Sequence, residues 1–364
     1  MAGTPEMEYR YLGKSGLRVS SLSLGTMMFG KGKAEFPGQC DQEQAHAMLD
    51  HYTLKGGNFI DTADIYAGGK SEEIVGLWLQ KQRRDDHVVA TKVGLGMQHD
   101  PGFRGLSRRH ITRSLEKSLE RLQTSYVDVY QMHMWDKGTP IEETVRTFDD
   151  LVRCGKVLYC GASNLTGWML QKLVDTAERM GSNPFVSLQQ RYSLCTRESE
   201  LDAFEVCRST GVGITAWGTL MSGILSGKYK RQGTLDGGGD GRMRWLAEEE
   251  EGARRLTIFP SWSKLQTDDM TWNTLMVLEK ISQKHNKTMS EVAVKWTLQQ
   301  PMVCSVVLGC RNLAQLDDNM EGGSPTWRLS QQDLDDLDRA SYVPRSMLYE
   351  NYGKSPWKNP FLML

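Results

Sequence analysis

Eight short apolar, β-branched runs, each followed by a stretch of helical periodicity, constrain this chain more than any other feature. The runs are Ser21–Leu24, Asn58–Asp61, Val88–Lys92, Val127–His133, Val157–Ala162, Phe185–Gln190, Gly213–Trp217 and Val303–Leu308. Alternating strand and helix signals are the pattern of parallel α/β folds. Eight such units without a break in composition favour a closed (β/α)8 barrel of the TIM type over an open doubly wound sheet. The helical signal is clearest after the third run, where Ile111, Leu115, Leu119 and Leu122 share one face and Ser107 is placed to cap the start. After the fourth run, Ile141, Val145, Phe148 and Val152 repeat that stripe behind Pro140 at the first helical position. Three segments fall outside the repeat: an N-terminal hairpin in YRYLGKSGLRVSSL, a long insertion at 230–270 between the seventh and eighth strands, and a C-terminal tail over 342–364. The insertion reads as a loop or lid on the barrel mouth, and the apolar, aromatic tail is expected to pack back over the barrel. The expectation is a single barrel domain over residues 1–364.

Charge and cysteine content narrow the function classes. With 44 basic and 45 acidic residues the net charge is −1, so nothing implies a broad basic face for nucleic acid or an anionic membrane. Small-molecule partners are expected. The first residues lack a basic segment followed by an apolar run, and no stretch approaches a membrane span, so a cytoplasmic location without membrane insertion is the expectation. Cys40, Cys154, Cys160, Cys195, Cys207, Cys304 and Cys310 are an odd, scattered set without a C-x-x-C pair, which reads as reduced buried thiols rather than disulfides or a zinc site.

In barrels of this type the chemistry sits at the C-terminal ends of the strands. Asp61 ends the second run, Lys92 the third and His133 the fourth, while Tyr66 follows Asp61 by five residues. Any one of these is more often a structural group than a catalytic one. Three ionisable side chains at three successive strand ends are another matter, because burying them is unfavourable unless they pair, and paired groups in a cleft mark functional sites.

The stretches GGNFIDTADIYAGGKSEEIVG, VVATKVG, YVDVYQMHMWD, GASN and LGCRNLAQLDDN lie in the order found in aldo-keto reductases and span most of the chain. Together they resemble that superfamily, and its catalytic tetrad maps onto Asp61, Tyr66, Lys92 and His133. The resemblance implies reduction of a carbonyl compound by NADPH. Tyr66 would donate the proton, Lys92 would lower its pKa, Asp61 would hold Lys92, and His133 would orient the substrate oxygen. Neither G-x-G-x-x-G after a strand nor G-x-x-x-x-G-K-[ST] is present, and DGGGDG lies in the insertion, so a Rossmann site is not supported. The resemblance instead implies an extended dinucleotide across the barrel mouth. Thr26 and Met27 would meet it together with Asp61; Ser163, Asn164 and Gln189 would bind the nicotinamide carboxamide, and Trp217 would stack on the ring. Gly218, Thr219, Leu220, Ser222, Gly223 and Lys228 would hold the pyrophosphate. Gly309, Arg311, Gln315, Asp318 and Asn319 would hold the adenosine end, with Arg311 on a 2′-phosphate.

Two departures from the family pattern are visible. Gly218-Thr219 stands where many relatives have Ser-Pro, and YAGG is a glycine longer than the usual spacing after the tyrosine. The chain also resembles the beta subunits of voltage-gated potassium channels, especially at Trp217 and SGILSGKY, which implies as an alternative an NADPH-binding regulatory partner of a membrane protein. A metal-dependent barrel enzyme would need convergent ligands, and His46, His51, His87, His99, His110 and His285 form no His-x-x-x-His pair. No metal is expected. Met27, Phe29, Met134 and Trp135 near the mouth suggest an aromatic or aliphatic carbonyl substrate.

Overall fold

The structure, a computed structural model, describes residues 7–30, 38–96, 104–232, 243 and 262–343. Most of the 230–270 insertion and the tail beyond residue 343 lie outside these residues. A two-stranded antiparallel hairpin, β1 (Tyr9–Tyr11) and β2 (Arg18–Ser20), comes first, as expected. Eight parallel strands then close into a barrel. They are β3 (Leu22–Gly25), β4 (Phe59–Asp61), β5 (Val88–Val93), β6 (Val127–Met132), β7 (Val157–Ser163), β8 (Phe185–Arg191), β9 (Gly213–Trp217) and β10 (Val303–Gly309).

Helices alternate with these strands and cover them. The first six are α1 (Gln42–Leu54), α2 (Lys70–Leu79), α3 (Arg108–Leu122), α4 (Ile141–Arg153), α5 (Gly167–Arg179) and α6 (Ala203–Thr210). Between β9 and β10 come α7 (Trp262–Thr267), α8 (Asp269–His285) and α9 (Met289–Leu298), and after β10 come α10 (Leu313–Gly322) and α11 (Gln331–Ala340). In α3 the four apolar stripe residues are buried, and the Ser107 hydroxyl accepts from the His110 N–H, satisfying a donor the helix start leaves unpaired. In α4 Pro140 is the cap rather than the first helical residue. Its ψ of 132° is extended, and its carbonyl accepts from the Glu143 and Thr144 N–H groups.

The barrel lumen and the layer between strands and helices form two buried sets. Leu12, Phe59, Ala90, Val129 and Val186 pack together as one, and the larger set joins strands to helices. Six cysteines are buried thiols, but Cys154 at the end of α4 is exposed, because it falls on the solvent side of that helix. Among the described residues no helix is long and apolar enough to cross a membrane.

Candidate active site

Register places the ionisable residues. Parallel pairing sets Asp61 opposite Ala90, Lys92 opposite Gln131, and Gln131 opposite Gly161, so their side chains converge near the C-terminal end of the lumen. Gly161 leaves room for this, since an added Cβ there would lie 3.0 Å from Gln131 Cγ and 2.8 Å from Ser187 Oγ.

Lys92 is fully enclosed, and its ammonium donates to Asp61 Oδ1 at 2.6 Å, the Thr62 carbonyl at 2.7 Å and Tyr66 Oη at 3.3 Å. All three of its protons are used. Burial pushes its pKa down, but the Asp61 and Tyr66 charges and hydrogen bonds outweigh that, and the net direction is upward, so the ammonium stays charged. Asp61 receives further donors at Oδ2, Gln189 Nε2 at 2.7 Å and Gln131 Nε2 at 3.3 Å.

Tyr66 differs from the expectation. Burial raises its pKa more than the neighbouring Lys92 lowers it, so the phenol is a weaker acid than ordinary tyrosine, not a stronger one. His133 lies just past β6, its N–H on the Val93 carbonyl at 2.8 Å, and its ring meets Tyr66 edge-on with centroids 6.0 Å apart. Burial, reinforced by Lys92, pushes its pKa down to about 3, so the imidazole is neutral, and Nδ1 is enclosed without a partner. The backbone after Tyr66 turns through three successive left-handed residues, Ala67 (φ 49°), Gly68 (φ 65°) and Gly69 (φ 93°), before α2 begins. This turn absorbs the extra glycine. Ala67 adopts the conformation despite its Cβ, a strain concentrated beside the tetrad.

The residues expected to hold a dinucleotide divide into those facing the mouth and those used within the protein. Asn164, itself left-handed at φ 56°, ties three strand ends together. Its Nδ2 donates to the His133 carbonyl at 3.0 Å and to Ser163 Oγ at 2.9 Å, and its Oδ1 accepts from Trp217 Nε1 at 3.1 Å. Trp217 is thereby fixed in orientation at the end of β9. Gln189 donates one amide N–H to Asp61 Oδ2, which leaves its other N–H and Oε1 for a carboxamide. Thr26 is fully enclosed, its hydroxyl engaged by Ser71 and the Asp61 carbonyl, so its side chain holds the loop and does not face the mouth. Met27 is half-buried beside it. Phe29, expected near the mouth, is fully buried in the core.

From Gly218 to Lys228 the chain makes a tight turn at the end of β9. Leu220 is followed by left-handed Met221 (φ 48°), Ser222 (φ 56°) and Gly223 (φ 91°), and the Met221 and Gly223 N–H groups close the turn on the Gly218 and Leu220 carbonyls at 2.9 Å. Ser222 Oγ is enclosed without a partner, and an added Cβ on Gly223 would lie 3.4 Å from Lys228 Nζ. Thr219 is buried beneath this turn, and Leu220 is half-buried. Burial and the nearby Arg311 cation lower the Lys228 pKa, so the two cations stand close to one another. An orphaned hydroxyl, glycine-opened backbone and two converging cations fit a dinucleotide phosphate. Arg311 lies along Gly38, its N–H donates to Gln315 Oε1, and Asn312 caps α10 by accepting from the Gln315 N–H at 2.9 Å. Gly309 is exposed and Asp318 half-buried, but Asn319 is buried, donating to Cys310 Sγ, and so packs under the loop.

Several contributors were not foreseen: Gln131, the Thr62 carbonyl, and a buried group of Asp64, Glu72 and Arg121 behind the tetrad. Gln131 was accessible from strand periodicity, since it precedes His133 by two and so shares its face. Beside the tetrad, Trp135 and Trp168 meet edge-on with centroids 5.5 Å apart; Trp168 is 58% exposed and Met134 44%. Among the described residues no group of three or more His, Cys, Asp or Glu could hold a metal ion.

Residues 21–341 match the model of the aldo/keto reductase family. The chain is 32% identical to norsolorinic acid reductase A of Aspergillus parasiticus, over 92% of this chain and 82% of that protein. Versiconal hemiacetal acetate reductase of the same species is 32% identical over 94% and 98%. An aryl-alcohol dehydrogenase of Pestalotiopsis microspora is 32% identical over 89% and 79%.

Proposed function

Because this chain belongs to the aldo/keto reductase family and is an oxidoreductase by that kinship, we propose that it is a cytoplasmic NADPH-dependent reductase of aldehydes or ketones. Residues 1–364 would act as one catalytic unit, with aryl carbonyl compounds as the substrate class. The observation that carries the reading is the ammonium of Lys92 bridging Asp61 Oδ1 and Tyr66 Oη inside the barrel mouth. NADPH, when bound, supplies the hydride. Tyr66 passes its Oη proton to the oxygen that becomes the alcohol, and the resulting phenolate is stabilised by Lys92, whose charge Asp61 maintains. Neutral His133 orients the carbonyl by donating a hydrogen bond from its ring. Trp217, held by Asn164, screens the reacting atoms from water.

Fluorescence titration with NADPH, followed in the same cuvette by a panel of aldehydes and quinones with nicotinamide absorbance recorded, tests this reading. Binding with turnover is the expected result. Binding without turnover would favour a regulatory role like that of the channel beta subunits, and absence of binding would overturn the cofactor assignment.

Two variants test its parts. Arg311→Ala should weaken NADPH by about tenfold or more, the scale of a lost charge-assisted hydrogen bond, and leave NADH nearly unchanged. An equal loss for both cofactors would remove the 2′-phosphate role. Aromatic substrates are favoured by the Trp135–Trp168 pair at the mouth and by the aryl-alcohol activity named in one relative. Trp168→Ala should raise KM for an aryl aldehyde by about two- to tenfold, the scale of one aromatic contact, while sparing a short aliphatic aldehyde. A uniform effect on both would count against the aryl class.

A further inference from the structure

Behind the tetrad lies a second set of buried charges that the reaction above does not use. Asp64 sits between Asp61 and Tyr66 on the same loop, 3% exposed, with its N–H on the Lys92 carbonyl at 3.2 Å. Glu72 of α2 faces it, fully enclosed, accepting from Thr91 Oγ1 of β5 at 2.5 Å and pairing with Arg121 of α3 at 2.7 Å. From β5 comes the Lys92 ammonium, and from β6 the Tyr130 phenol, which donates to the Ile111 carbonyl. Asp61 and Tyr66 complete the surroundings from its own loop.

The charges in this space do not match. Lys92 is paired with Asp61 and Arg121 with Glu72, so the two cations are already neutralised when Asp64 is counted. Among the described residues the third carboxyl has no cation of its own, and its Oδ1 is enclosed without a partner. An ionised carboxylate in that position would be buried without a counter-charge of its own, with the Ile65 N–H to offset part of that, an unfavourable state for a carboxyl. We infer that Asp64 is a positioning residue for the Lys92–Tyr66 pair, held as an uncharged acid and adding a second negative charge behind the Tyr66 phenol when it ionises.

Burial, reinforced by Glu72 and opposed by Arg121, the Ile65 N–H and Lys92, pushes the Asp64 pKa up to about 7, in keeping with that assignment. The charge of Asp64 in turn raises the pKa of Tyr66. Its ionisation above neutral pH keeps the proton on the phenol, so reductase activity persists further into the alkaline range than Lys92 beside Tyr66 would otherwise allow.

Asp64→Asn tests this in two ways, the first independent of turnover. A carboxyl with a raised folded pKa binds its proton more tightly in the folded state, so wild-type stability declines as pH rises from about 4 to about 7, relative to a variant without that proton. The melting temperature of Asp64→Asn minus that of wild type should therefore grow across that window and level off above it. A difference that is flat with pH would overturn the uncharged acid. The second readout rests on the reductase reading. The alkaline limb of kcat for carbonyl reduction should move to lower pH in Asp64→Asn by about one unit, the scale of an interaction between buried charges several ångströms apart at an effective dielectric of about 20. A widening stability gap with an unmoved limb would leave Asp64 a buried acid uncoupled from Tyr66 and overturn the positioning role. Wild type that binds NADPH and reduces nothing would remove the reductase reading and that role together, while the stability data would still decide the protonation state.

Discussion

Tyr66→Phe should lose about 10²–10⁴ of kcat, the usual contribution of a positioned general acid, with NADPH affinity essentially unchanged. Among the described residues the phenol oxygen is hydrogen-bonded only to Lys92, at 3.3 Å, and Lys92 keeps Asp61 and the Thr62 carbonyl without it. Removing that oxygen should therefore change stability by about 1 kcal/mol or less. Single-turnover absorbance and cofactor fluorescence on the same sample separate chemistry from binding, and retained turnover would end the role proposed for Tyr66. The pH dependence has a defined sign. Reduction needs the protonated phenol, whose pKa is raised by burial against the pull of Lys92, so kcat for reduction should fall only above the ordinary tyrosine range of about 10. With His133 neutral down to about pH 3, no acid limb near the usual histidine value should come from it.

The sequence made the barrel legible because period-2 and period-3.6 patterns report burial, and burial is what a closed parallel sheet with a helical shell imposes. All eight strand runs fall within a residue or two of the observed strands. The clustering of the ionisable side chains was legible for a related reason: strand ends share one rim, so Asp61, Lys92 and His133 could be assigned to it without coordinates. Side-chain commitments were not legible. Thr26 and Asn319 stand at positions that point to a dinucleotide, yet hydrogen bonds to Ser71 and Cys310 turn them inward. Gln189 reads as a cofactor ligand, but its amide nitrogen goes to Asp61 across the lumen. The direction of the Tyr66 shift was missed because desolvation depends on everything that packs around the ring, and no local motif encodes that. Asp64 escaped notice because its meaning lies in a count of charges from four elements, α2, α3, β5 and its own loop.

Asp61→Asn should be the most destabilising single change in the site, by about 3–5 kcal/mol, because it strands a buried ammonium. Lys92 is fully enclosed, and among the described residues Asp61 is the carboxylate in ion-pair contact with it. Lys92→Met leaves a less exposed problem: Asp61 still accepts from Gln131 and Gln189, so its charge remains hydrogen-bonded and the loss should be smaller. Both single variants should abolish turnover. The double variant should be less destabilised than the sum of the singles, since the second change removes the charge that the first stranded. The sign of the pH dependence separates this account from a general packing defect. In wild type the Lys92 pKa is raised above its unfolded value, so its contribution to stability is complete below about 10.5 and declines only as pH climbs through the folded value. In Asp61→Asn burial acts on Lys92 with the largest opposing influence gone and only the weaker ones, such as Tyr66, left, so its pKa should fall and the variant should gain stability as pH rises from 7 toward 10 while wild type does not. Urea midpoints at pH 7 and pH 9 measure the difference. Parallel behaviour of variant and wild type would mean that the ammonium finds another partner, and that Asp61 does not hold the charge on which the chemistry of Tyr66 depends.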